Sequence, residues 1–188
     1  DRAAAKGLAD AIKKYRKLVF EGHSTDYQTS KALREMAEDG IAILKVGPAL
    51  TFALREALFA LSFMEDELLD GKIGIKSSGF RDVLEDAMLK NPDNWKKHYH
   101  GDARKLRLAR KYSFSDRCRY YLPDEEVSKS IRKLINNLNS IEIPMTLISQ
   151  YMPVQYMKIR NGELLNDPES LIKDRIINCI DDYSFKLD

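Results

Sequence analysis

Hydrophobic positions in the first 50 residues switch between helical and extended patterns. Apolar side chains recur at helical spacing over residues 3–16, and the short apolar run at 18–20 then predicts a buried strand. A polar loop, residues 23–28, leads to a second helical pattern that Gly40 ends. The continuous apolar run at 41–46 predicts a second strand. Strand, helix and strand make a βαβ unit, in which the two strands are expected to be parallel with a right-handed crossover.

From residue 48 onwards the pattern is helical. Residues 48–69 are apolar nearly all round, which predicts a helix buried on several sides. After Gly71 no further convincing strand is found, and Pro144 and Pro153 divide the following stretch into short pieces. Three more helices are predicted from apolar spacing and capping residues, around 80–88, 127–138 and 168–183.

Two parallel strands are too few for a stable sheet, because parallel sheets are normally covered on both faces and extended on both sides. A TIM (β/α)8 barrel typically needs about 250 residues, more than the 188 present. We therefore expect an α/β fold in which residues 1–70 are the last two strand–helix units of a TIM-type barrel. Residues 71–188 are expected to be a helical C-terminal extension packed on that barrel. Because the sequence starts at Asp1 with helical sequence almost at once, we expect a processed, cropped or partial chain.

Composition and charge exclude several classes. Hydrophobic residues make up 44%, which suits one globular core rather than a disordered chain. Lys plus Arg total 31 against 29 acidic residues, so nothing in the overall charge predicts binding to nucleic acid or an anionic membrane. Two cysteines, Cys118 and Cys179, are too few for a secreted disulfide framework and fit a reducing cytosol. Since neither a signal sequence nor a membrane-spanning stretch is recognisable, we expect a cytoplasmic location.

Several blocks of sequence, in order over nearly the whole chain, closely resemble the GatZ/KbaZ family, the so-called non-catalytic Z subunits of class II tagatose-1,6-bisphosphate aldolase. The blocks are HSTDYQT at 23–29, ILKVGPALTFALREALF at 43–59, LEDAML at 84–89, HYHGD at 98–102, YSFSDR at 112–117, RYY at 119–121, LISQYMP at 147–153 and GEL at 162–164.

The resemblance implies the C-terminal part of a TIM-barrel subunit that associates with a catalytic Y subunit and supports its activity and stability. Family members are not active aldolases alone, so a complex with another subunit is implied, and we expect an oligomer. We expect this chain to have no cofactor, unless the zinc alternative described below applies. The implied pathway is tagatose 6-phosphate degradation in bacterial galactitol or amino-galactose catabolism. There tagatose 1,6-bisphosphate is cleaved to glycerone phosphate and glyceraldehyde 3-phosphate.

Chemistry is expected where the two predicted strands end. Parallel α/β architectures place ligands outside the carboxyl ends of their strands. The polar residues at those ends form the candidate rim for a sugar phosphate: His23, Ser24, Asp26, Gln28, Lys45 and Gly47. The turn at Gly47 also opens a helix, whose amino terminus attracts anions, although the following proline removes one amide donor.

The alternative function is a metal-dependent sugar-phosphate aldolase or isomerase with its own site at this rim. His23 would then be a zinc ligand, but a catalytic zinc site needs three protein ligands. The remaining histidines, His98 and His100, lie in the extension and form only a weak chelating pattern. Lys45 is a candidate for pairing with phosphate, for Schiff-base chemistry, or for an ion pair with Asp26 or Glu21.

A basic and aromatic stretch follows within the extension. Alone, such a mixture is compatible with RNA binding by stacking and phosphate contacts. A solvated helix face, or a surface that contacts a protein partner through Arg and Tyr, is the other interpretation. The stretch comprises Arg104, Lys105, Arg107, Arg110, Lys111, Arg117 and Arg119 with Tyr112, Phe114, Tyr120 and Tyr121.

Overall fold

The computed structural model describes residues 2–70 and 74–185, which form two compact units. The first combines the chain up to Leu50 with the segment from Ile177 onwards, and the second is Thr51–Ile176. The fold is α/β, mostly helical with a small parallel sheet. The boundary expected near residue 70 stays a prediction.

The first unit contains the expected βαβ arrangement. Its elements are α1 (Arg2–Ile12), β1 (Phe20–Gly22), a 3-10 turn (Thr25–Tyr27), α2 (Ser30–Glu38) and β2 (Ile41–Leu44). The strands pair in parallel, with Phe20 opposite Ile41 and Gly22 opposite Leu44. Helix α2 begins directly after Thr29, whose hydroxyl caps it by accepting the amide hydrogen of Ala32 at 3.2 Å. Since the strands are parallel, their carboxyl ends lie at the same edge.

Both strands are shorter than the apolar runs predicted. The prediction of a buried strand at 18–20 was wrong at its start, because Leu18 and Val19 are 60% and 59% exposed and precede β1. Phe20 already pairs with Ile41, the first residue of β2. Leu18 and Val19 therefore have no partner strand opposite them. Likewise β2 ends at Leu44 and not at Val46.

Helix α1 also departs from its pattern. It ends at Ile12 instead of continuing to residue 16, and a turn follows in which the amide of Tyr15 donates to the Ile12 carbonyl oxygen. None of its residues is buried, so its apolar side chains do not belong to the core of the described chain.

The second unit holds the hydrophobic core. Its helices are α3 (Ala49–Leu69, from Thr51 onwards), α4 (Phe80–Lys90), α5 (Ala103–Tyr112), α6 (Glu125–Asn139), α7 (Met145–Tyr151), α8 (Pro153–Arg160) and most of α9 (Pro168–Asp181). The prediction that α3 is buried on several sides is confirmed, because the consecutive residues Ala57, Leu58 and Phe59 are all buried, as is Leu61. They belong to one cluster with side chains such as Phe80 of α4 and Leu134 of α6.

A buried carboxylate fixes the entry to α4. Glu65 is inaccessible to solvent and accepts hydrogen bonds from the Ser78 amide and hydroxyl, the Ser77 hydroxyl and the Asn137 side-chain amide. These donors offset the cost of removing the charge from water. The contacts connect α3 and α6 to the loop that precedes α4.

Helix α5 was missing from the helices predicted by apolar spacing. Its local signal is the cap, in which Asp102 accepts the amide hydrogen of Lys105 at 2.8 Å. Within the described residues, no helix has both the length and the apolar character needed to cross a membrane.

Candidate functional site

At the carboxyl edge of the two-stranded sheet, one glutamate binds both basic candidates. Glu21 Oε1 lies 2.5 Å from Lys45 Nζ and 2.6 Å from His23 Nε2. The hydrogen bond from Lys45 is the main reason why the pKa of Glu21 is lowered. The ion pair that the sequence offered for Lys45 therefore forms with Glu21. Its effect is to neutralise the cation that a phosphate would otherwise attract.

A buried threonine connects this edge to the end of the described chain. Thr25 donates its amide hydrogen to the Lys45 carbonyl oxygen at 3.0 Å, and its hydroxyl lies 3.0 Å from the Tyr183 hydroxyl. Burial raises the pKa of Tyr183, so the phenol stays protonated at neutral pH. Residues 25 and 183 are too far apart in sequence for any local pattern to indicate this contact.

The amino terminus of α3 is already occupied by a carboxylate of the chain itself. Asp26 Oδ2 accepts the amide hydrogen of Ala49 at 2.9 Å, and Asp26 Oδ1 is buried without a partner among the described residues. A Cβ added at Gly47 would lie 2.7 Å from Asp26 Oδ1, so only glycine fits there without movement. A phosphate at this helix terminus would have to displace Asp26, because two anions would repel each other.

The remaining rim candidates do not join these contacts through their side chains. Ser24 has a left-handed backbone with φ 53°, an uncommon conformation for a residue with a side chain, and is exposed. Gln28 is exposed, and its amide hydrogen closes the 3-10 turn on the Thr25 carbonyl oxygen. Both residues are therefore accessible to solvent.

The described residues contain no group of three His, Cys, Asp or Glu side chains placed to hold a metal ion. His98 Nδ1 lies 3.2 Å from Arg117 Nη2, a cation that competes with any metal for the same nitrogen. His100 is exposed on the neighbouring loop. Among the described residues, the donors around His23 therefore fall short of the three protein ligands that a catalytic zinc ion needs.

A buried ion pair in the second unit was missed at the sequence level. Arg55 Nη1 lies 3.3 Å from Asp116 Oδ1, and the two side chains are 3% and 0% exposed. Asp116 Oδ2 also accepts from the Thr51 hydroxyl at 2.8 Å. Burial and the Asp116 charge raise the pKa of the adjacent Cys118 far above its usual value, so this thiol is unreactive. The only local signal was an arginine in the apolar pattern of α3.

The fold and its strand-end site define an α/β protein whose polar rim is neutralised by its own side chains. Its family follows from comparison with known proteins. The model of the D-tagatose-1,6-bisphosphate aldolase subunit GatZ/KbaZ-like family matches residues 1–186, and the chain belongs to this family. The resemblance noted from the sequence is confirmed.

A solved structure shares the fold. It is the crystal structure of a probable tagatose 6 phosphate kinase from Sinorhizobium meliloti 1021, which is 43% identical with a TM-score of 0.91. The match covers 97% of the present chain but 46% of that protein. This chain therefore spans less than half the length of the solved relative. The family description names an aldolase subunit and the relative's name a kinase, but both names refer to a phosphate of tagatose.

Proposed function

We propose that this chain acts as part of a non-catalytic subunit of a class II tagatose-1,6-bisphosphate aldolase complex, where it stabilises the catalytic subunit. In this proposal residues 1–70 are the last two strand–helix units of a TIM-type barrel completed by further sequence. The complex is cytoplasmic and serves tagatose 6-phosphate degradation in bacterial galactitol or amino-galactose catabolism. Family membership supports the sugar class and the role as a subunit.

The observation that carries the non-catalytic role is the neutralised rim. Glu21 pairs with Lys45 and His23, and Asp26 takes the amide of Ala49 at the amino terminus of α3. A bisphosphate substrate needs cations and amide donors that are available to its phosphates. Here the same groups already bind carboxylates of the chain, which supports a role other than catalysis at this edge.

Stabilisation of a partner needs no chemistry from this subunit. A protein that binds only the folded catalytic subunit raises the free energy of unfolding of that subunit by RT ln(1 + [L]/Kd), where [L] is the concentration of the free binding protein. At a hundredfold excess over Kd this amounts to about 2.7 kcal/mol. Such an increase lengthens the lifetime of activity without altering the reaction itself.

The test compares the half-life of aldolase activity of the catalytic subunit alone, with the full-length protein containing this chain, and with an equal mass of albumin. We expect a longer half-life only with the full-length protein. Equal half-lives would contradict the proposal. In parallel, the zinc content of the full-length protein is measured. Stoichiometric zinc, together with cleavage of tagatose 1,6-bisphosphate in the absence of a partner, would instead establish the alternative enzyme. H23A should then abolish that cleavage.

A further inference from the structure

An aromatic groove of about 420 Å³ lies on the surface of the second unit. Three of its aromatic side chains, Phe52, Phe59 and Phe63, come from one face of α3. The walls are Tyr112 and Phe114 from the end of α5 and the loop after it, and Tyr151 from α7. Concave surfaces rich in aromatic side chains are typical of the centre of protein interfaces.

The rings of this groove are ordered by contacts with one another. The centroids of Phe52 and Phe114 are 5.5 Å apart in a stacked pair, and those of Phe59 and Tyr112 are 5.7 Å apart edge to face. Nevertheless Phe114 is 74% exposed. A large apolar side chain held in a defined position while exposed to water is an unfavourable arrangement unless a partner covers it.

The buried ion pair holds Phe114 in this position. Asp116 binds Arg55 and the Thr51 hydroxyl, and Arg55 also donates to the Ser113 carbonyl oxygen at 3.2 Å. Both ends of the loop 113–116 are therefore fixed to α3. Because the groove is formed before binding, a partner would not have to supply the free energy for ordering it.

One side of the groove continues into a basic helix face. Arg104, Leu108 and Tyr112 follow at four-residue spacing on α5, so they lie on one face of that helix. Arg104, Lys105 and Arg107 are exposed, and no ion pair within the described part of the chain involves them. Such a cationic border favours an acidic partner and accelerates association with it.

We infer that the aromatic groove and the basic face of α5 form the surface that docks the catalytic subunit, taking an apolar side chain flanked by carboxylates. The inference rests on the proposed function. RNA is a poorer match for the floor of the groove, because the ring of Phe52 is already stacked on Phe114 and contacted by the Arg55 guanidinium at 4.2 Å. Phe63 is likewise stacked on Tyr151 and covered by Arg81 at 3.8 Å. Bases that stack need aromatic faces that are open.

The test measures Kd between the catalytic subunit and the full-length protein at low and moderate salt. F114D should weaken binding by about tenfold or more, as expected for an exposed aromatic anchor. R104E/R107E should weaken it at low salt and reduce its salt dependence. The matched controls are L165D, at a leucine that is 72% exposed, and K31E/R132E, which makes the same change in charge. Both controls should bind like the wild type.

Different results separate the two ideas. If the wild type does not bind the catalytic subunit, the proposed function and the docking surface both fail. If the wild type binds and F114D and R104E/R107E bind equally well, only the docking surface is wrong. If full-length F114D without its partner melts at a lower temperature than the wild type, and its Kd for the catalytic subunit is unchanged, the groove is covered within the full-length chain. If F114D and R104E/R107E lose binding to a labelled RNA oligonucleotide that the wild type binds, and still bind the catalytic subunit, the surface would be assigned to RNA. Either result would overturn the inference.

Discussion

The carboxylate of Asp26 accepts the amide hydrogen of Ala49 at 2.9 Å, so a side chain from the loop after β1 caps the helix after β2. This contact joins the two carboxyl ends of the sheet and at the same time fills the position where an anion would bind. Its consequences can be measured.

The first prediction concerns D26A. Removing a helix-capping carboxylate should lower the free energy of unfolding by about 1 kcal/mol. It should also open the amino terminus of α3 to anions, so that inorganic phosphate raises the melting temperature of D26A and leaves the wild type unchanged. Thermal unfolding of the full-length protein with and without phosphate measures both effects. If phosphate shifts the melting temperature of D26A and of the wild type equally, Asp26 does not occupy the position of an anion.

The second prediction concerns G47A. The added Cβ would lie 2.7 Å from Asp26 Oδ1, so G47A should destabilise the protein by about 1–3 kcal/mol through overpacking. In the D26A background the same change should cost much less, because the carboxylate it meets is gone. G7A is the matched control, since nothing lies within 4 Å of the position of its Cβ. Chemical denaturation of the wild type, D26A, G47A and D26A/G47A gives the coupling energy between the two positions. If the losses in unfolding free energy of D26A and G47A simply add up in the double variant, the prediction is wrong.

The third prediction concerns the buried pair of Arg55 and Asp116. D116N keeps a side chain that tolerates the left-handed backbone at φ 48° and removes the charge that pairs with Arg55. Leaving an arginine buried without its carboxylate should cost about 3 kcal/mol or more. D93N, at an exposed carboxylate paired with Lys96, should change stability by less than about 1 kcal/mol. Urea denaturation compares the two variants, and equal losses would contradict a structural role for the pair.

The fourth prediction concerns pH. The hydrogen bond from Lys45 lowers the pKa of Glu21 below its ordinary value. The contact therefore stabilises the fold above the unfolded pKa of this carboxyl, and the contribution is lost as the pH falls through the lowered, folded pKa. K45M should move the pKa of Glu21 back upwards and remove this part of the acid dependence. NMR titration of the Glu21 carboxyl measures the shift. Asp93, whose pKa is lowered by Lys96, should titrate as before.

Much of the secondary structure could be predicted because it depends on neighbours in sequence. The apolar run before Lys45 is a strand, and the apolar helix 48–69 is close to α3, which begins at Ala49. Strand ends could not be predicted, because they depend on where the partner strand begins. Helix α5 has few apolar residues and many basic ones, so the search for apolar spacing did not reveal it.

The candidate rim could be placed from sequence only in outline. Ends of parallel strands meet at one edge, and there His23 and Lys45 both contact Glu21. The sequence offered Asp26 or Glu21 as a partner for Lys45 and named no partner for His23. The hydrogen bond between Thr25 and Tyr183 and the pairing of Arg55 with Asp116 join residues far apart along the chain. Such contacts are set by packing of whole elements, for which a single sequence contains no local signal.

The close approach of Gly47 to Asp26 also constrains how this protein can diverge. A homologue that gains a side chain at position 47 has to shorten or remove the one at position 26, and a homologue that keeps the aspartate has to keep the glycine. The two positions should therefore change together during evolution. A homologue that has lost both would offer a bare helix end to phosphate.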